Sequence, residues 1–245
     1  MTVSPQTLPV MAEAVLWMRQ QGFKVRGGPA GGVEWGDDAG AIYLQQMFKI
    51  ANFYLENPEY EPDGSFKTSL DLLAQNSTPE DFRWCGCGKS VSCLDADGEE
   101  YPCYMFLPFS DENKGQDKLR LSEAEAALDC KGALLAPECA KCDIRPICRH
   151  CYGMNYSQNI PLAAGDTQNC IFNMIEASVS AWMLSAMFEK GNKYPFIRSL
   201  SETTISDMRR GIQVIDKAIP LDLLHAKING DIKGLGLPKC SLDGG

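Results

Sequence analysis

The sequence predicts an α+β protein in which a short helix, strand, loop and helix unit precedes a small cysteine-rich domain built on a β-hairpin and a tight knuckle, with helices towards the C-terminus. Three observations predict it. Apolar residues recur at helical spacing near both ends of the chain, an Asp-Gly pair separates two strand-like runs at 97–98, and eleven cysteines fall into spaced groups.

Ser4 followed by Pro5 reads as an N-cap and first-turn proline, and Leu8, Met11, Val15 and Met18 recur at helical spacing, so a helix is expected over about 5–21. Gly22 suits its C-terminal stop, and Phe23-Lys24-Val25 reads as a short strand leading into GGPAGG. That glycine run lacks the spacing of a dinucleotide fingerprint and the Lys-Ser/Thr of a P-loop, so a βα loop is expected there rather than a nucleotide site. Asp37 or Asp38 can cap a second helix to about Glu56. Proline and acidic residues in NPEYEPDG then mark a linker. The expected division is 1–60, a linker at 61–84, a cysteine domain at 85–190, and a last helix (about 202–218) and tail at 191–245. The tail after Ile232 is expected to be mobile, and the chain beyond Pro220 shows no chemistry.

A net charge of −9 argues against a nucleic-acid surface, which needs clustered Lys and Arg. The N-terminus lacks the basic and apolar regions of a signal peptide, and the apolar stretch Ile171 to Phe188 carries Asn173, Glu176 and several serines, so it reads as a buried helix rather than a membrane span. A cytoplasmic location is expected. In that reducing compartment eleven cysteines do not persist as disulfides, which makes metal binding the leading reading.

The first group, WCGCGKSVSCLDADGEEYPC, holds Cys85, Cys87, Cys93 and Cys103. A three-residue loop at 96–98 puts Cys93 and Cys103 on one face of the hairpin, whereas a two-residue loop puts them on opposite faces. The second group pairs Cys139 with Cys142 and Cys148 with Cys151, two C-x2-C steps within 13 residues, each able to aim two thiolates at one centre. Cys170 opens the long helix expected at about 168–190, where free backbone N–H groups and the helix dipole favour a thiolate. Zinc is the rival to iron–sulfur chemistry, and His150 is the one residue that could join it, although its place beside Cys151 turns it away from that neighbour's metal. Lys141, Arg145 and Arg149 add positive charge, and Trp35 and Trp84 suit packing.

The run Cys85, twelve residues, Gly98, four residues, Cys103, then Cys139-x2-Cys142-x5-Cys148-x2-Cys151 and Cys170 resembles the SPASM auxiliary domain of radical SAM peptide- and protein-modifying enzymes (maturases), over about residues 1–190. DGEEYPC resembles that family's hairpin, and TVSPQTLP, GFKV and VEW resemble the end of its barrel, so residues 1–60 would be an incomplete radical SAM barrel unit. The resemblance implies two [4Fe–4S] clusters. Cys139, Cys142, Cys148 and Cys170 would hold one; Cys103 and Cys151 would hold the other with Cys85 and one of Cys87 or Cys93; Cys130 and Cys240 would be non-ligands. The sequence departs from the family in having two residues, not three, between Cys148 and Cys151, and in lacking a C-x3-C-x2-C segment. The chain alone is therefore expected not to cleave SAM, to act as a truncated or split member, and to meet a peptide substrate and a separate barrel polypeptide. A zinc-binding interaction module without catalysis is the alternative.

Overall fold

A computed structural model of the chain describes residues 1–66, 70–74, 83–107, 118–129, 134–165 and 167–219. Cys130, Cys240 and the tail after Ile232 lie outside them. The architecture is α+β, rich in helix with few short strands. In chain order the elements are β1 (Thr2–Val3), α1 (Met11–Gln20), β2 (Gly28–Pro29), α2 (Ala39–Glu56), β3 (Cys93–Leu94), β4 (Glu100–Tyr101), α3 (Lys118–Asp129), α4 (Pro137–Ala140), α5 (Tyr152–Ser157), α6 (Thr167–Glu189), α7 (Pro195–Arg198) and α8 (Glu202–Ala218). Single 3-10 turns join several of them.

Two compact units divide the chain: Met1–Asn76 with Asp143–Ile147 and Thr167–Gly245, and Ser77–Cys142 with Cys148–Asp166. This differs from the expected division, because α6 belongs to the first unit and part of the expected linker folds into it. The linker's acidic residue is satisfied inside: Asp63 is buried, and its carboxylate accepts from the Tyr54 hydroxyl at 3.0 Å and the Ser65 amide at 2.7 Å. Phe66 and Leu70 are fully buried. A polar, proline-bearing composition therefore conceals a core segment.

In the first unit, β1 and β2 pair in parallel, with Thr2 opposite Gly28 and Val3 opposite Pro29. The strand expected at 23–25 does not form; Phe23 is 61% exposed and its amide closes the end of α1 on the Met18 carbonyl. Helix α1 also starts later than expected. Ser4 shapes a turn by accepting from Thr7 and Leu8, a 3-10 turn follows, and buried Gln46 on α2 caps α1 by accepting from the Ala12 amide at 3.0 Å. The Gln supplies what Val10, a poor N-cap, lacks.

Helices α2 and α6 form the core of this unit. Phe172 meets Trp35 and Tyr43 edge-on, each at 5.0 Å, and Phe48 meets Trp182 likewise. By length and composition the stretch Asn169–Glu189 could cross a membrane, but 67% of its most apolar window is buried within the protein. Two of its buried polar residues face partners: Glu176 accepts from the Tyr43 hydroxyl at 2.8 Å and pairs with Arg26 at 3.3 Å, and Ser180 donates to the Ser65 carbonyl.

Burial pushes the Glu176 carboxyl above its ordinary value of 4.5, with Arg26 and the Tyr43 hydroxyl working against it. The folded state therefore holds this proton to higher pH than the unfolded chain. The associated stability is full below about pH 4.5 and is lost as pH rises through the raised value. Glu176→Gln keeps an acceptor for Tyr43 and cannot ionise. Its stability relative to the native chain should improve between pH 4.5 and 8, as read by urea denaturation; a constant difference would overturn the assignment.

Ser178, fully buried on the same helix, has no partner for its hydroxyl among the described residues. A buried hydroxyl without a bond loses its hydration and gains nothing. Ser178→Ala, which also raises helix propensity, should stabilise the protein by about 1 kcal/mol in thermal unfolding; destabilisation would mean that the hydroxyl is bonded.

Helix α8 starts at Ser201, whose hydroxyl accepts from the Thr204 amide at 3.1 Å, and buries Met208, Ile212 and Ile215 along one stripe. Gly211 lies in that stripe. A Cβ there would overlap the Leu70 carbonyl oxygen and come within 2.7 Å of its carbon, so glycine lets the helix meet the Leu70–Ala74 turn backbone to backbone.

Candidate metal centre

In the second unit the hairpin pairs Cys93 with Tyr101 and Leu94 with Glu100. Its loop is the three-residue form, closed by Asp95–Glu99 pairing with Gly98 at φ +86°. The Asp95 carboxylate holds the loop by accepting from the amides of Asp97 and Glu99. In this register position 103 falls on the face of position 93.

Upstream, the Gly86 carbonyl accepts from the amides of Lys89, Ser90 and Val91, each at 2.9 Å. The Gly88 amide donates to the carbonyls of Val91 and Pro102, both at 3.1 Å, with Gly88 in the left-handed region at φ +69°. This tight loop seats Cys87 beside the end of the hairpin. Cys87 is 3% exposed and belongs to an apolar cluster with Phe106, Ala124, Leu128, Tyr152 and Tyr156. Helix α3, absent from the expected elements, contributes Ala124 and Leu128, with Leu121 partly buried against the same cluster.

The Cys87 thiol adjoins those of Cys85 and Cys103, near enough for the three to shift one another's protonation. Sharing its proton with Cys103, and then with Cys85, holds the Cys87 thiol far above the ordinary thiol range. The two flanking sulfurs move the other way. The Cys87 contact, helped by backbone amides, brings Cys85 down to about 6 and Cys103 to about 7.

Nearby backbone amides favour the ionised sulfurs: those of Cys87 and Tyr152 lower Cys85, and those of Met105 and Phe106 lower Cys103. Cys151, the N-cap of α5, receives the amide of Met154 at 3.4 Å and has that of Gly153 nearby. Burial raises the Cys151 thiol, and the charges of Cys85 and Cys103 raise it further, while the two amides lower it. Cys151 is an exposed residue, so solvent tempers the burial contribution. The electrostatic reach of Cys85 and Cys103 places Cys151 in the same neighbourhood, and Gly153 closes the gap: a Cβ there would lie 3.3 Å from the Cys103 sulfur and would overlap Met105.

Aromatic rings border this group. Trp84 stacks on Tyr152 at 5.2 Å and on buried His150 at 4.4 Å, and the Tyr152 hydroxyl accepts from the Trp84 amide and donates to the Leu134 carbonyl. Phe106 stacks on Tyr156, and the Arg120 guanidinium lies over the Tyr156 ring at 4.4 Å.

In the second group, Cys139 and Cys142 close one helical turn, with the Cys142 amide donating to the Cys139 carbonyl at 3.2 Å. Cys139 is buried and Cys142 and Cys148 are half-buried. Asn155, unnoticed in the sequence, organises the adjoining loop: its Nδ2 donates to the carbonyls of Leu162 at 2.9 Å and Ala164 at 3.0 Å. That loop brings Gly165 against Cys139, so close that a Cβ would stand 3.2 Å from the sulfur. A buried Asn next to glycine-bearing turns is the signal that could have marked it. Cys170 occupies the first turn of α6, in the first unit.

The structure thus joins Cys85, Cys87 and Cys103, with Cys151 beside them, and leaves Cys93 on β3. None of the nine described cysteines is in a disulfide. Among the described residues no three His, Cys, Asp or Glu side chains are set to hold a single metal ion. Comparison with protein-family models, with curated proteins and with solved structures finds no match to this chain.

Proposed function

We propose that the chain binds two auxiliary [4Fe–4S] clusters as the C-terminal portion of a cytoplasmic radical SAM peptide- or protein-modifying enzyme, in the manner of a SPASM domain. The observation that carries this reading is the proximity of Cys85, Cys87, Cys103 and Cys151 from three separate segments, with the Met154 amide donating to the Cys151 sulfur and Gly153 lying against that of Cys103. Such N–H donors suit anionic sulfur bound to metal and tune a cluster's potential. The donor set fits the group: four thiols, an apolar wall and no carboxylate among them. Cys139, Cys142, Cys148 and Cys170 are proposed as the second ligand set.

A bound cluster supplies one-electron transfer or a Lewis-acidic iron to the site. The chain's own part is to hold it. Cys87, buried, would anchor it to the apolar cluster, the amides at 105–106 and 153–154 would offset its charge, and Trp84 and Tyr152 would supply aromatic surface beside Cys85. SAM cleavage is not assigned to these residues, since the sequence carries no C-x3-C-x2-C segment.

Anaerobic purification tests the proposal. Brown protein with about eight iron and eight acid-labile sulfide per chain is expected, with a broad absorbance that bleaches on reduction. A colourless protein carrying about two zinc ions would replace it with the zinc-binding interaction module. Deoxyadenosine formed from SAM by the isolated, reduced chain would overturn the division of labour.

A further inference from the structure

The second unit also contains a cleft of about 570 Å³ that none of the cysteines lines. One wall is the loop 88–92, another is Glu100 and Tyr101 of β4, and the third is the end of α3, with Glu125, Leu128 and Asp129. Glu125 and Asp129 are one helical turn apart and so share a face. Glu100 reaches the same space from the hairpin, an element independent of that helix. Against these three carboxylates the lining offers one cation, Lys89, a formal balance of 1 − 3 = −2. No ion pair or hydrogen bond joins the three side chains to any described residue. Glu125 is half-buried as well. An unpaired carboxylate partly withdrawn from water gains most from a cation brought to it.

The cleft lies next to the first cysteine group. Leu128 lines it and packs in the same apolar cluster as Cys87, and a Cβ on Gly88 would meet the Leu128 side chain at 3.1 Å. One layer of side chain separates the cleft from a proposed cluster ligand. Its volume falls within the range of about 300–1,000 Å³ usual for ligand clefts, enough for a long side chain and its flanking backbone.

We propose that this cleft seats a lysine or arginine side chain of a polypeptide substrate, with Glu100, Glu125 and Asp129 as its anionic partners. The polypeptide class rests on the function proposed above; the cationic preference rests on the cleft alone. Ser90 and Ser92 on the loop offer hydroxyls to the substrate backbone.

Fluorescence anisotropy with the full chain tests the inference, using a labelled nonapeptide of alternating Lys and Ser and its Glu-for-Lys counterpart. The Lys peptide should bind saturably, at least about tenfold more tightly than the Glu peptide, and more weakly as salt rises. Glu100→Gln, Glu125→Gln and Asp129→Asn together should weaken it about tenfold, since each exposed charge pair contributes a small but additive share. Amides at Glu13, Glu59 and Glu202, which remove the same three negative charges elsewhere, should leave affinity unchanged. Lys89→Glu should tighten binding and decides the matter should the triple variant fail to fold. No saturable binding, no preference for Lys, an equal loss in both triple variants, or weaker binding by Lys89→Glu would overturn the proposal. Iron and sulfide measured on the same samples keep the two readings apart: cluster-free protein that retains the preference refutes the function and leaves the cleft standing.

Discussion

Cys87→Ala is expected to halve the iron retained by the chain, from about eight atoms to about four, with sulfide falling in step. Its thiol contacts Cys85 and Cys103 while its body packs among Leu128, Phe106 and Tyr152, so no rotation of a neighbouring sulfur can replace it without opening that cluster. The four atoms left behind would belong to the second ligand set, and their spectrum should be that of one cluster. Cys93→Ala is the matched control. Cys93 lies on the hairpin face that leads to Cys103, and it stays half-exposed on β3. Full iron in the Cys93 variant and half in the Cys87 variant is the expected pattern. The reverse would assign Cys93 as the ligand and make Cys87 a packing residue.

Gly211→Ala should destabilise the first unit by about 3 kcal/mol, a large effect for one added methyl group. In an open helix the same change would stabilise by about 1 kcal/mol, because alanine is the better helix former. The sign reverses because the added carbon would occupy the space of the Leu70 carbonyl, and backbone cannot turn aside as a side chain can. Either α8 moves away from the turn at Leu70–Ala74, or that turn gives up its buried Leu70. Thermal unfolding of the variant should show a midpoint lowered by several degrees. An unchanged midpoint would mean that the close approach is absent in solution.

Long amphipathic elements were legible in the sequence. The second helix, expected from a cap at Asp37 or Asp38 to about Glu56, spans Ala39–Glu56; the apolar helix expected at about 168–190 spans Thr167–Glu189; and the last helix, expected at about 202–218, spans Glu202–Ala218. In each, several turns of periodic apolar residues outweigh local preference. The short elements were not legible. Phe23-Lys24-Val25 has strand-like residues but no partner, while Gly28-Pro29 has poor strand residues and a partner in Thr2–Val3. Pairing, which is non-local, decided both. Helix α3 was missed because its packed face, Leu121, Ala124 and Leu128, is short and set among charged residues, and the expected linker because Asp63 finds its hydrogen bonds only once Tyr54 is brought beside it.

At the cysteines, the hairpin pattern narrowed the loop to two lengths, and the structure adopts the longer. Composition left Cys87 and Cys93 as alternatives, since both stand near the hairpin. What separates them is the loop at 86–91, whose fold depends on Gly86 accepting three amides and Gly88 taking a left-handed conformation. Neither property follows from cysteine spacing.

Trp84 follows the cysteine group in one further respect. Its indole stacks against His150 and Tyr152 and adjoins Cys85 in the chain, whereas Trp17 is 61% exposed on α1. A coloured inorganic group gripped by Cys85 would drain the excited state of the first indole through short-range quenching. The native protein thus carries its own optical gauge of loading, readable as emission recovering when a chelator strips the site, without any dye or tag.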